Sequence, residues 1–159
     1  PDSFHARYAA HAKTYHYYLL NARVDDPFLF DTCHRIWPAL DLAAMQAAAA
    51  KFVGTHDFSA LCASGSSAAA HGDTVRTITD CTVVQSGDLF TISVTADGYL
   101  YNMVRILAGT LVQAGLHKRT PDSIPPLLES RDRKQAGPTL PAKGLFLERV
   151  DYPGLDAIS

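Results

Sequence analysis

Arg105 sits in the stretch Gly98-Tyr99-Leu100-Tyr101-Asn102-Met103-Val104-Arg105-Ile106-Leu107-Ala108-Gly109-Thr110-Leu111, where one permanent charge interrupts a nearly continuous apolar run. A guanidinium does not deprotonate in proteins, and burying it unpaired is costly, so Arg105 needs a carboxylate, a phosphate or water. An internal ion pair and a functional cleft would both satisfy that need, and the residue types alone leave the two open. Gly54-Thr55-His56-Asp57-Phe58 sets an aspartate beside a histidine, a pairing that can control imidazole charge. Neighbours on an ordinary loop seldom face one another, however, and the loop reading is the stronger one. Arg131-Asp132-Arg133-Lys134 could touch phosphates, although so short a charge run is more often solvated surface. Tyr15 by itself reads as a core or cross-strand aromatic.

Other chemistries find little support. The seven histidines show no HxxxH spacing and Cys33, Cys62 and Cys81 no CxxC, so neither a metal centre nor a disulfide framework is expected. GxGxxG, P-loop and GxSxG patterns are absent, which leaves nucleotide cofactors and a hydrolase nucleophile without a motif. Three irregularly spaced cysteines fit a reducing cytoplasm. The run from Tyr99 to Val112 is too short to span a bilayer, and no membrane role is expected. A net charge of -2 exerts no global pull on nucleic acid, so any RNA partner would be held by a local basic patch or by chain beyond these residues.

The elements that must position these residues can be read from periodicity. With 159 residues, 47% of them hydrophobic, the chain suits one globular domain. Lys13 to Asn21 is rich in aromatics at alternating spacing and reads as a strand, with Tyr15, Tyr17 and Leu19 on one face. Asp41 is placed as a helix N-cap, Leu42, Met45, Ala49, Phe52 and Val53 follow at helical spacing, and Gly54 is the expected stop. Ala63 to Thr74 reads as a long small-residue loop. Arg76 to Gln85 and Leu89 to Asp97 form a predicted hairpin across Ser86-Gly87-Asp88, with Phe90, Ile92, Val94 and Ala96 facing the core.

The Arg105 helix is expected from about Tyr101 to Ala114, ending at Gly115. Thr120-Pro121 opens another helical segment, which Pro125-Pro126 should delay or kink. After a charged connector from Arg131 to Lys143, Gly144 to Tyr152 reads as a final strand. There Phe146, Val150 and Tyr152 oppose Leu145, Leu147 and Arg149. The first and last strands are expected in one sheet. Hairpin-paired strands with inserted helices predict an α+β domain, a mainly antiparallel sheet with helices packed against it.

Several segments occur in a recognisable order. These are Phe4-His5-Ala6-Arg7, Lys13-Thr14-Tyr15-His16-Tyr17, Gly54-Thr55-His56-Asp57-Phe58, Val75-Arg76-Thr77-Ile78 and Gly98 to Arg105. Arg131-Asp132-Arg133, Ala136-Gly137-Pro138-Thr139 and Pro141-Ala142-Lys143-Gly144-Leu145 follow. Together they resemble the C-terminal half of the tRNA pseudouridine synthase A family, over almost the whole chain. The resemblance implies the pseudouridine synthase fold and an enzyme that isomerises uridine to pseudouridine in the tRNA anticodon stem-loop. It further implies a cytoplasmic homodimer with tRNA as partner and no metal or organic cofactor.

The family's catalytic aspartate lies in an Arg-Thr-Asp-x-Gly-Val-His type motif, which these 159 residues do not contain. By this resemblance residues 1–159 are a single C-terminal subdomain, inactive alone. Tyr15 matches the tyrosine that stacks on the extruded target base. Arg105 matches the arginine that pairs with the catalytic aspartate, which should favour the ionised carboxylate. Leu145 and Leu147 become candidate apolar walls of the same pocket, and Arg7, Lys13, Arg76 and the Arg131 to Lys134 run candidate RNA contacts. Arg105 is then expected in an open cleft opposite the Tyr15 ring, meeting water, an anion or a substitute carboxylate. The competing reading is a non-catalytic RNA-binding or dimerisation module of the same fold.

Overall fold

The computed structural model describes residues 11–63 and 72–152. Among these residues six strands form one sheet: β1 (Ala12–Asn21), β2 (His34–Ile36), β3 (Gly54–Asp57), β4 (Val75–Ser86), β5 (Leu89–Ala96) and β6 (Leu145–Asp151). Their order is β2-β1-β5-β4-β3, and β6 pairs with β1. Among the described residues the short β1–β2 pairing is parallel, while β1–β5, β1–β6, β3–β4 and β4–β5 are antiparallel. Helices α1 (Leu42–Lys51), α2 (Met103–Gly115) and α3 (Ile124–Ser130) complete the α+β architecture predicted from periodicity. Three-residue β2 carries no alternation that a sequence pattern could register.

The core lies between one sheet face and the helices. Tyr17 and Leu19 of β1 are fully buried there, with Phe90, Ile92, Val94 and Ala96 of β5, as the alternation requires. On β4 the inward positions are Ile78, then Cys81 and Val83, because a register shift between Ile78 and Asp80 switches the faces. The hairpin turns through Gly87 at φ 59°, in the region open to glycine.

Asp41 caps α1 as expected, accepting from the Ala44 amide at 3.1 Å, and Met45, Ala49 and Phe52 are fully buried. The expected ends of the helices need correction. Helix α1 closes at Lys51 with Phe52 as its cap, and Gly54, at φ 125°, opens β3 instead of stopping the helix. Helix α2 starts at Met103 and includes Gly115 as its last residue. Gly115 is there for contact: a Cβ on it would lie 2.8 Å from Met45 Cγ, so its bareness lets α1 and α2 meet. Pro125 and Pro126 occupy the first turn of α3 after a 3-10 turn over Pro121–Ser123, in keeping with the late start expected.

Strand β6 lies antiparallel to β1 as anticipated, but its alternation is broken. Thr14 opposes Arg149 while Tyr15 opposes Leu147, a one-residue bulge at Glu148. Val150 thereby joins the face of Leu145 and Leu147, and Arg149 moves to that of Phe146. The loop expected over residues 63–74 and the Phe4-His5-Ala6-Arg7 segment fall largely or wholly outside the described residues.

Candidate active site

Two elements converge on Arg105. The residue stands in the first turn of α2, where the helix dipole is positive, and it is half-buried. Its Nε–H donates to the Leu140 carbonyl at 2.7 Å and Nη1 donates to Asn102 Oδ1 at 3.1 Å. Among the described residues no carboxylate pairs with it, so of the partners expected a substitute carboxylate is not the one found, and two neutral oxygens meet the guanidinium. The reason is local: residues 136–144 run as a strap along α2, bringing main-chain carbonyls within reach.

The strap is held at both ends. Thr110 Oγ1 accepts from the Gly137 amide at 3.0 Å, and Arg133 donates to Gly137 O at 2.8 Å and to Thr139 Oγ1 at 3.1 Å. Arg133 is thus a structural clasp, a role different from the phosphate contact or solvated surface considered for its charge run. At the other end the Tyr17 hydroxyl donates to Pro141 O at 2.6 Å. Gly144 lies so close to Tyr17 that a Cβ would stand 2.8 Å from the ring. Burial pushes the Tyr17 phenol well above its ordinary pKa, against a smaller lowering pull from the Arg105 charge, so this bridge stays a neutral donor.

Tyr15 is two residues from Tyr17 on the same face of β1 and is partly buried against the core. Its ring meets Tyr99 edge-on, with centroids 5.0 Å apart at 88°. The Tyr99 hydroxyl lies 2.5 Å from the Lys13 carbonyl and 2.8 Å from that of Val94, and can donate to one of them at a time. Register places Leu147 opposite Tyr15 and Leu145 opposite Tyr17. Leu145 packs on the core and Leu147 is exposed, and the pairing sets both beside the Tyr15–Tyr17 stretch of β1. No hydrogen bond or ring contact joins Arg105 directly to Tyr15 among the described residues. The connection runs through Leu140, Pro141 and Tyr17.

Other candidates have partners of their own. His56 and Asp57 belong to strand β3, paired with Arg76 and Val75, which corrects the loop reading. They do not form an acid/base pair: His56 sets its ring edge-on to Phe58, while Asp57 turns to Ser59 and Thr74. Burial pulls the Asp57 carboxyl upward, but hydrogen bonds from Ser59 and Thr74 and the Arg131 charge at 3.4 Å outweigh it and hold its pKa below the usual range. A cleft of about 310 Å³ beside these residues contains cations that are already matched, Arg131 by Asp57 and Lys51 by Asp122 at 3.8 Å. Arg76 donates to the Asp73 side chain at 3.2 Å and to Val75 O at 2.8 Å. Arg7 lies outside the described residues. Among those described, no group of three or more His, Cys, Asp or Glu is placed to hold a metal, and no helix is long and apolar enough to cross a membrane.

Asn102, Leu140, Pro141 and Tyr99 escaped the sequence reading. A signal existed for Asn102, since asparagine is enriched where a non-glycine residue takes positive φ. The carbonyls of Leu140 and Pro141 have none, because a main-chain acceptor carries no residue signature.

A six-stranded, mostly antiparallel sheet with an arginine at the head of its apolar helix and a tyrosine on the adjoining strand fits the pseudouridine synthase class. A family profile described as tRNA pseudouridine synthase matches residues 48–153, and the chain belongs to that family. It is 46% identical over 149 residues to tRNA pseudouridine synthase A of Acetivibrio thermocellus, covering 94% of this chain and 60% of that protein. The enzyme of the same name from Moorella thermoacetica is 46% identical over 152 residues, 96% of this chain and 60% of the relative. That of a Thermoanaerobacter species is 44% identical over 151 residues, 95% and 61% respectively. The chain therefore spans about three fifths of the length of the curated relatives it matches.

Proposed function

We propose that this chain is the C-terminal part of a tRNA pseudouridine synthase, acting on uridines of the anticodon stem-loop as a cytoplasmic homodimer. The reaction breaks the bond between ribose C1′ and uracil N1, turns the base, and joins C1′ to C5. The proton on C5 is lost and N1 gains one, so no net atom is added and no redox cofactor is called for. In this reading Tyr15 offers the extruded base a ring to stack on, replacing part of the lost base stacking. Leu145 and Leu147 line the β6 side of that position. Arg105 receives the catalytic aspartate, whose motif is absent from these 159 residues.

The observation that carries the reading is the state of Arg105. Leu140 O and Asn102 Oδ1 orient its guanidinium without neutralising it, and among the described residues nothing else bonds it, which leaves Nη2, the second Nη1 hydrogen and the full charge for an anion. A carboxylate there would be held ionised by a charge-assisted, forked pair at the positive end of α2. Tritium release from tRNA carrying 5-tritiated uridine tests the proposal. The full-length protein is expected to release tritium and the 159-residue chain alone is not. Turnover by the isolated chain would exclude a catalytic carboxylate outside it, and an inactive full-length protein would exclude the activity.

A further inference from the structure

We infer that Asn102 is a positioning residue for catalysis, aiming the Arg105 guanidinium at the catalytic carboxylate; the inference rests on the function proposed above. Asn102 immediately precedes α2, at φ 60° and ψ 13° in the left-handed region. A residue in the N-cap position ordinarily has extended backbone and uses its side chain to cap a free amide. Asn102 does neither: its side chain makes no capping bond, and its Oδ1 accepts from Arg105 Nη1 at 3.1 Å. The side chain that could have served the helix serves the arginine.

The choice of residue follows from backbone and charge together. At φ 60° the residues that fit with little strain are glycine, asparagine and aspartate. Glycine brings no acceptor. Aspartate would bring a carboxylate within ion-pairing distance of Nη1, satisfying Arg105 from inside the chain and competing with the catalytic aspartate. Asparagine alone supplies an oxygen that fixes the guanidinium plane and leaves its charge unspent. Leu140 O holds Nε on one side and Asn102 holds Nη1 on the other. Two fixed points define the plane of a rigid fork, so Nη2 is presented in one direction.

The experiment compares Asn102→Gly and Asn102→Asp in the full-length protein, both compatible with the left-handed backbone. Asn102→Gly is expected to lower kcat about tenfold, the scale of one lost hydrogen bond to a charged group, with KM for tRNA and the melting temperature unchanged. Asn102→Asp should lower kcat further, because it quenches Arg105 where glycine merely frees it. In an Arg105→Lys background Asn102→Gly should cost nothing more, since its effect passes through the guanidinium. Unchanged kcat in Asn102→Gly, an Asn102→Asp variant as active as wild type, or the same loss in both backgrounds would overturn the inference. So would a parallel fall in kcat, tRNA affinity and melting temperature, which assigns Asn102 to folding. Where Arg105→Lys leaves no measurable turnover, the order of the glycine and aspartate variants decides. A wild type that does not isomerise uridine removes the functional reading itself, and this inference with it, whereas an active wild type with indifferent Asn102 variants removes only the positioning role.

Discussion

Arg105 and Leu140 are bonded reciprocally: the Arg105 Nε–H donates to the Leu140 carbonyl at 2.7 Å, and the Leu140 amide donates to the Arg105 carbonyl at 3.2 Å. One residue of the strap thus meets both the side chain and the main chain of the charged helical residue. The side-chain bond limits the guanidinium's rotation, and the main-chain bond sets how far the strap stands from α2. Orientation of a charge and packing of a loop are the same contact here.

Arg105→Lys in the full-length protein is expected to lower uridine isomerisation at least tenfold. An ammonium cannot keep the Nε bond to Leu140 and also present a fork to a carboxylate, and each charge-assisted bond is worth roughly 1.5–3 kcal/mol. Tritium release at saturating tRNA checks it, and full turnover would count against direct pairing with the aspartate.

Tyr15→Leu should reduce turnover more than tRNA affinity. The extruded base loses its stacking ring, worth about 1–3 kcal/mol per base, while contacts to the rest of the tRNA persist. The edge-on pair with Tyr99 is lost as well, at a stability cost of about 1 kcal/mol. Kinetics beside a filter-binding isotherm separate the two effects; equal losses in both would point to misfolding.

Gly109→Ala should destabilise the protein by about 3 kcal/mol or more, at the upper end of overpacking costs. A Cβ on Gly109 would run into the carbonyl oxygen of Pro138, main-chain atoms with no rotamer to yield, and from the other side a Cβ on Gly137 would stand 2.6 Å from Thr110 N. Denaturant unfolding of the full-length protein measures it. A near-neutral result would show that the strap can lift from α2.

Asp57→Asn should destabilise the fold near pH 7 by roughly 1–3 kcal/mol, the scale of hydrogen bonds made to a charged group. Its carboxyl has a lower pKa folded than unfolded, so the unfolded chain takes up the proton first as pH falls. The stabilisation is therefore complete above the ordinary carboxylate pKa and disappears as pH drops through the folded value. Urea midpoints of wild type and Asp57→Asn should converge in acid, and a difference that is constant with pH would rule out the carboxylate as its source.

Much of the framework was legible because it rests on local regularities. The period-two pattern of Tyr15, Tyr17 and Leu19 marked β1, the capping aspartate and helical spacing marked α1, and Gly87 marked the hairpin. Misreadings fell where distant partners decide. Gly115 resembles a helix stop until Met45 is placed against it, and Arg149 follows the alternation of β6 until the bulge opposite Thr14 turns it over. Gly54 and His56 read as loop because four residues are too short to show a period, and only pairing with β4 makes them a strand.

By itself the sequence determined the α+β class, the family resemblance, and the presence of a charged residue in an apolar helix that had to find a partner. Those follow from residue type and spacing, which hydrophobic burial and backbone propensity read locally. The tertiary structure alone decided what holds Arg105. Its acceptors are the Leu140 carbonyl, 35 residues away, and the side chain of a left-handed Asn102. Every residue owns a carbonyl, so the partner could not be recognised by type; only the packing of Gly137 onto Gly109 brings the right one within 3 Å.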